Sequence, residues 1–186
     1  MQLTRILIAA NLFLSCALAQ SGADAKTIYF LEDESHMQWC GYANESRFKA
    51  QVQSLMAMVI GGADYTSGRL STIHVTEADQ TGDWAVNDEY TLGVDGRIRS
   101  LKRTINIIPE DNSEEQLFVV KNGKAIKQRS VHRELQTGRP TKNTVNWFHA
   151  SPVITEIKAF PFSALITEKQ EDVRSAAEVC IPDRAK

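Results

Sequence analysis

The chain has 186 residues, 42% of them hydrophobic, with 21 basic and 23 acidic side chains and a formal net charge of −2. That length suffices for one domain with a core of its own. So even a charge balance leaves no electrostatic footprint for nucleic acid or an anionic membrane, and no nucleic-acid partner is expected.

The chain opens on the three parts of a signal peptide. Arg5 supplies the positive start, Ile6 to Leu14 form a short apolar run, and Ala17-Leu18-Ala19 offers small residues for cleavage. Residues 1–19 are therefore read as a signal peptide and residues 20–186 as a single domain, secreted or periplasmic. The alternative is a lipobox at Phe13-Leu14-Ser15-Cys16, which would leave the protein lipid-anchored through Cys16. The apolar run is too short to span a bilayer, and no later segment is better suited, so no transmembrane segment is expected. With Cys16 removed, Cys40 and Cys180 remain, and two cysteines in an oxidising compartment pair. That bridge would close a loop of 140 positions and stabilise the fold by about 5 kcal/mol in chain-entropy terms.

Thr27-Ile28-Tyr29-Phe30 is a strand candidate, followed by the acidic turn Glu32-Asp33-Glu34. Asn44 suits a helix N-cap, and Phe48, Val52, Leu55, Met56 and Val59 fall at helical spacing. Part of the same stretch also alternates like a strand. The pattern fits a helix from about 45 to 55 running into a strand from about 57 to 66.

Three tight-turn pairs follow: Ser67-Gly68, Asp95-Gly96 and Asn122-Gly123, spaced 28 and 27 positions apart. Each is flanked by β-forming runs. Looser polar connections at Asp79–Asp83, Pro109–Glu115 and Gln136–Asn143 alternate with them. This pattern predicts an antiparallel meander of six long strands: about 57–66, 69–77, 84–92, 97–108, 116–121 and 124–135. The tight turns should share one end of the sheet, leaving the loose loops, and any functional groups, at the other. The segment Tyr90-Thr91-Leu92-Gly93-Val94-Asp95-Gly96-Arg97-Ile98 resembles the hairpin unit of tyrosine–aspartate repeat proteins, which implies a hairpin and nothing about activity. The fold class is thus α+β: a curled or half-barrel antiparallel sheet with one N-terminal helix packed on it. Beyond the meander, proline-broken apolar pieces are expected to add a strand and a cover for the sheet. A short helix from about Glu168 to Val179 would carry Cys180 back to Cys40.

Candidate chemistry is sparse. His36, His74, His132 and His149 form no metal-ligand motif, though His74 and His132 both fall on expected strands and could face one another. Arg97, Arg99 and Arg103, with Lys127 and Arg129, fall on neighbouring strands and would suit an anionic ligand if they shared a face; solvated bases opposite acids are the plainer reading. Carboxylates such as Asp88, Glu89, Glu114 and Glu115 read as solvated turn residues. The sequence has no nucleophile elbow, P-loop or dinucleotide-binding glycine pattern. No cofactor and no metal are expected. The reading that remains is a non-enzymatic binding or carrier protein for an apolar or anionic ligand, with an extracytoplasmic hydrolase as the alternative.

Overall fold

The computed structural model describes residues 26–142, 144, 148, 150–176 and 178–183. The expected signal peptide with Cys16, and also Asn143, Trp147 and His149, lie outside the described residues. One nine-stranded antiparallel sheet dominates, in the order β8-β7-β6-β5-β4-β3-β1-β2-β9. Its strands are β1 (Lys26–Asp33), β2 (Gln38–Tyr42), β3 (Val59–Thr66), β4 (Arg69–Ala78), β5 (Trp84–Leu92), β6 (Ile98–Ile107), β7 (Asn112–Lys121), β8 (Lys124–Glu134) and β9 (Val179–Pro182). The order is linear, so the sheet is open, with β8 and β9 as its edges. β9 is short and carries Pro182, while β8 carries Lys124, Lys127, Arg129 and Arg133, features that discourage further strand pairing.

The six meander strands are those expected, with their ends shifted by a few residues. Ser67-Gly68 has φ values of 52° and 74°, and Asn122-Gly123 has 52° and 72°. Both central residues are left-handed, as a type I′ turn requires, and the strands pair right up to the turns, with register slips farther along between Asp64 and Tyr65 and between Leu117 and Phe118. Asp95-Gly96 is different: only Gly96 is left-handed, and the connection spans Gly93 to Arg97, closed by Gly93 N to Arg97 O at 2.9 Å. The pairing also slips between Thr91 and Leu92, so this hairpin is a longer loop with a bulge. At the opposite end, the β6–β7 connection is shorter than expected. Asp111 adopts φ 46° and β7 starts at Asn112, which moves Glu114 and Glu115 out of the loop and into a strand.

The helix α1 (Glu45–Leu55) is small and is not the N-terminal element, because β1 and β2 precede it. β2 and β3 flank β1 and are both antiparallel to it, so they run the same way and the chain must cross β1 between them. α1 is that crossover. Asn44 caps it by accepting from Arg47 N at 2.9 Å. Phe48, Val52 and Leu55 then pack on Tyr29, Leu31, Tyr42 and Ile60, on what we call the outer face.

The inner face holds the main core. Ile28, Phe30, Trp39, Ala63, Tyr65, Ile73, Tyr90 and Leu101 are buried there under the C-terminal segment, which contributes Phe160, Phe162, Leu165, Ile166 and Val173. That segment forms two short helices, α2 (Ser163–Ile166) and α3 (Gln170–Ser175), then turns into β9; the single helix expected from Glu168 is therefore half its predicted length. Cys180 of β9 lies directly opposite Cys40 of β2, and the two form a disulfide with a Cα–Cα distance of 4.1 Å. This is just under the range of about 4.4–6.8 Å typical of such bridges. The bridge fits an oxidising compartment. Among the described residues, no helix is long and apolar enough to cross a membrane.

One close approach fixes the centre of the core. The Phe30 ring stacks on Phe162 at 3.8 Å between centroids and lies over Gly61. A Cβ at Gly61 would sit 2.4 Å from the Phe30 ring and 2.2 Å from the carbonyl oxygen of His74. Gly61→Ala is therefore expected to lower stability by about 1–3 kcal/mol through overpacking. Gly62→Ala is its control, because a Cβ there meets nothing nearer than 3.4 Å. Equal unfolding midpoints for the two variants would contradict this packing.

Candidate functional site

Strand register places polar side chains in an otherwise apolar inner face. One cross-strand row runs Val75, Asp88, Arg103, Gln116, Ser130, and the next runs Glu77, Val86, Ile105, Glu114, His132. In the first row Arg103, only 4% exposed, grips Asp88 with two arms: Nε to Oδ1 at 2.7 Å and Nη2 to Oδ2 at 2.6 Å. Its third arm donates to the carbonyl of Ser151 at 2.7 Å, and Tyr90 Oη donates to Asp88 Oδ2 at 3.1 Å. Burial opposes the guanidinium charge, but the hydrogen bonds and charge of Asp88 outweigh it and raise the Arg103 pKa.

In the second row Glu114 receives Gln116 Nε2 at 2.7 Å and Ser130 Oγ at 2.5 Å, with His132 Nε2 at 3.7 Å, all on Oε1. Burial would raise this carboxyl. The bonds from Ser130 and Gln116 and the charges of His132 and Lys127 outweigh it, and the pKa falls below the usual value. Glu114 is therefore ionised at neutral pH.

Between these rows and the covering chain lies a cavity of about 240 Å³. Ile105 and Ile107 form its floor, and Asn112, Glu114 and Gln116 form a polar wall. Phe148 and Ala150 cover it, and Arg103 closes one end. Phe148 is steadied by Trp84, with ring centroids 5.0 Å apart. Since Ile107 ends β6 and Asn112 begins β7, the cavity sits at the end of the sheet away from the tight turns.

The candidate residues taken from the sequence do not gather here. Arg103 does reach the cavity, but with its charge spent on Asp88. Arg97 and Arg99 belong to the β5–β6 hairpin, where Asp95 meets them at 4.0 and 2.6 Å. Lys127 lies 5.7 Å over the Phe118 ring, and Arg129 pairs with Leu117 across the outer face. The basic stretch is thus divided between two faces and a turn, because strand alternation and the bulges at Leu92 and Phe118 separate its members. His74 and His132 do not face one another: His74 is on the outer face of β4 and His132 on the inner face of β8, with three strands between them. Cys40, Glu178 and Cys180 cluster closely, but both sulfurs are tied in the disulfide and offer no thiolate to a metal.

His74 has a partner of its own. Its Nε2 lies 3.1 Å from Asp64 Oδ2, and Asp64 Oδ1 accepts from Thr27 at 2.6 Å. The bond to Asp64 raises the His74 pKa against the opposing effect of burial. With the folded value above the unfolded value, the pair's contribution is complete below about pH 6.5 and is lost as pH rises through the folded value. Both side chains are 37% exposed, so the effect is small, under about 1 kcal/mol. His74→Gln should therefore cost more stability at about pH 5.5 than at about pH 8.5. Denaturation midpoints at both pH values test this; a cost independent of pH would contradict it.

The residues that sequence reasoning missed are Asn112, Glu114 and Gln116. The acidic run around them reads as a loop, yet they sit at every second position and lead into Phe118, a period-two pattern running back from the Asn122-Gly123 turn. No protein-family model, curated protein or solved structure matches the chain.

Proposed function

We infer that the chain is a small exported protein, secreted or periplasmic after loss of its signal peptide, that binds or carries a small amphipathic molecule without transforming it. On this reading the sheet curls around its inner face, and the ligand occupies the cavity over Ile105 and Ile107. The observation that carries it is the lining itself: Ile105, Ile107, Phe148 and Ala150 supply apolar contacts, while the amide and carboxylate groups of Asn112, Glu114 and Gln116 help to make the exposed lining more polar than apolar. At about 240 Å³ the cavity is smaller than pockets for drug-sized molecules, about 300–1,000 Å³, which favours a small ligand. An anionic ligand is disfavoured, because Arg103 is neutralised by Asp88 while Glu114 keeps its charge. Native mass spectrometry of protein purified from its source should show a retained small molecule. Protein that is uniformly bare, and stays bare when cell extract is added back, would count against the reading.

The pairing of His132 with Glu114 beside a cavity favours a second reading, an extracytoplasmic hydrolase. It is the weaker of the two. The nearby Ser130 hydroxyl donates to the Glu114 carboxylate, whose pKa lies below the usual value and which is therefore a weak base for that proton. Turnover of an extract component that Glu114→Gln abolishes would favour the hydrolase.

A further inference from the structure

Glu114 tells more about the ligand than the cavity's size does. Its Oε1 accepts from Ser130 Oγ at 2.5 Å and Gln116 Nε2 at 2.7 Å, and His132 Nε2 stands 3.7 Å from it. Among the described residues, none of its hydrogen bonds or ion pairs engages Oε2. The carboxylate is thus held in place through one oxygen, while the other remains an unspent acceptor on a residue that lines the cavity.

The charge around it is unbalanced in the same sense. Arg103 would be the natural counter-charge, but two of its arms are bound to Asp88 and the third to the Ser151 carbonyl. Arg103 is committed to Asp88, so Glu114 is the remaining charged group among the described lining residues; the bases near it, His132 and Lys127, do not line the cavity. The floor beside it, Ile105 and Ile107, and Phe148 of the cover have no side-chain hydrogen-bonding group. An ionised oxygen beside such walls is best satisfied by a charged N–H donor, and a phenyl face attracts the same kind of group.

We propose that the cavity's ligand is a small organic ammonium, a protonated amine on a short apolar body, with its N–H donors on Glu114 Oε2 and its body on Ile105, Ile107 and Phe148. This assignment rests on the binding reading above and narrows it to one chemical class. Ile105, Ile107 and Phe148 beside the carboxylate give the apolar body of an organic cation a surface to rest on. The low pKa of Glu114 keeps the acceptor charged across the neutral range, where amines are protonated.

Three isosteric probes separate the possibilities on the unmodified protein: benzylammonium, benzyl alcohol and benzoate, titrated while the methyl signals of Ile105 and Ile107 are followed by NMR. The ammonium should bind about tenfold or more tightly than the alcohol, the margin of a charge-assisted bond over a neutral one. Benzoate should not bind measurably. In Glu114→Gln the ammonium and the alcohol should converge to within about twofold. Equal affinities for ammonium and alcohol in the unmodified protein, or a preference for benzoate, would overturn the ammonium assignment and leave the binding reading standing. Failure of all three probes to move the Ile105 and Ile107 signals would overturn both. The comparison among probes does not depend on the variant folding.

Discussion

Cys40→Ala/Cys180→Ala is expected to destabilise the protein by about 2–5 kcal/mol, one of the two largest effects predicted for the fold. The bridge joins positions 140 apart and fastens β9, a four-residue edge strand whose one sheet neighbour among the described residues is β2. Just before β9 come α2 and α3, whose Leu165, Ile166 and Val173 are buried against the inner face. Without the bridge the unfolded chain gains freedom, and the end of that cover is held by a few strand hydrogen bonds and its own apolar packing. Because Cys40 is only 1% exposed, alanine rather than serine is the proper replacement: it leaves no unpaired hydroxyl in the core. Urea denaturation of the variant against the oxidised parent measures the loss. An unchanged midpoint would mean that the bridge is incidental to the fold.

Arg103→Met should cost about 3–5 kcal/mol, because it strands the buried Asp88 carboxylate without its counter-charge. The side chains of the pair are 5% and 10% exposed, so water offers Asp88 little relief. The same substitution also cuts the tie from Arg103 to the Ser151 carbonyl, and with it a link between the sheet and the covering segment. The double variant Asp88→Asn/Arg103→Met removes both charges and should recover a substantial part of the loss. The sign of this coupling is the decisive quantity. If the double variant were less stable than Arg103→Met alone, the desolvated-pair account of the inner face would be wrong.

Much of the meander is readable from the chain because its information is local. Glycine at a left-handed position marks Ser67-Gly68 and Asn122-Gly123, and alternation along β5 and β6 marks an outer face that is partly wet. β2 carries no such mark. Trp39 packs under the C-terminal segment and Cys40 belongs to the helix-covered cluster, so both faces are buried and the alternation disappears. β9 is equally silent, being four residues held largely by pairing with a strand 140 positions away. The site failed for a related reason. Glu114 is polar at an inward position, and binary patterning assigns such a residue to a loop. Only the register set by the Asn122-Gly123 hairpin turns it inward beside His132. Arg103 shows the converse: its charge suggested an exposed basic face, and only the pairing of β5 with β6 shows Asp88 waiting opposite it.

The central claim is that the inner-face cavity holds a ligand, and filling the cavity tests it most directly. Ala150 belongs to the cover rather than to the sheet, so Ala150→Phe would occupy the space above Ile105 and Ile107 while leaving the strands untouched. Native mass spectrometry of parent and variant, prepared side by side from the source organism, should show an additional small-molecule mass on the parent. The variant should be bare, with an unfolding midpoint within a few degrees of the apo parent's. An adduct of the same mass and occupancy on both proteins would place the ligand elsewhere and contradict the account.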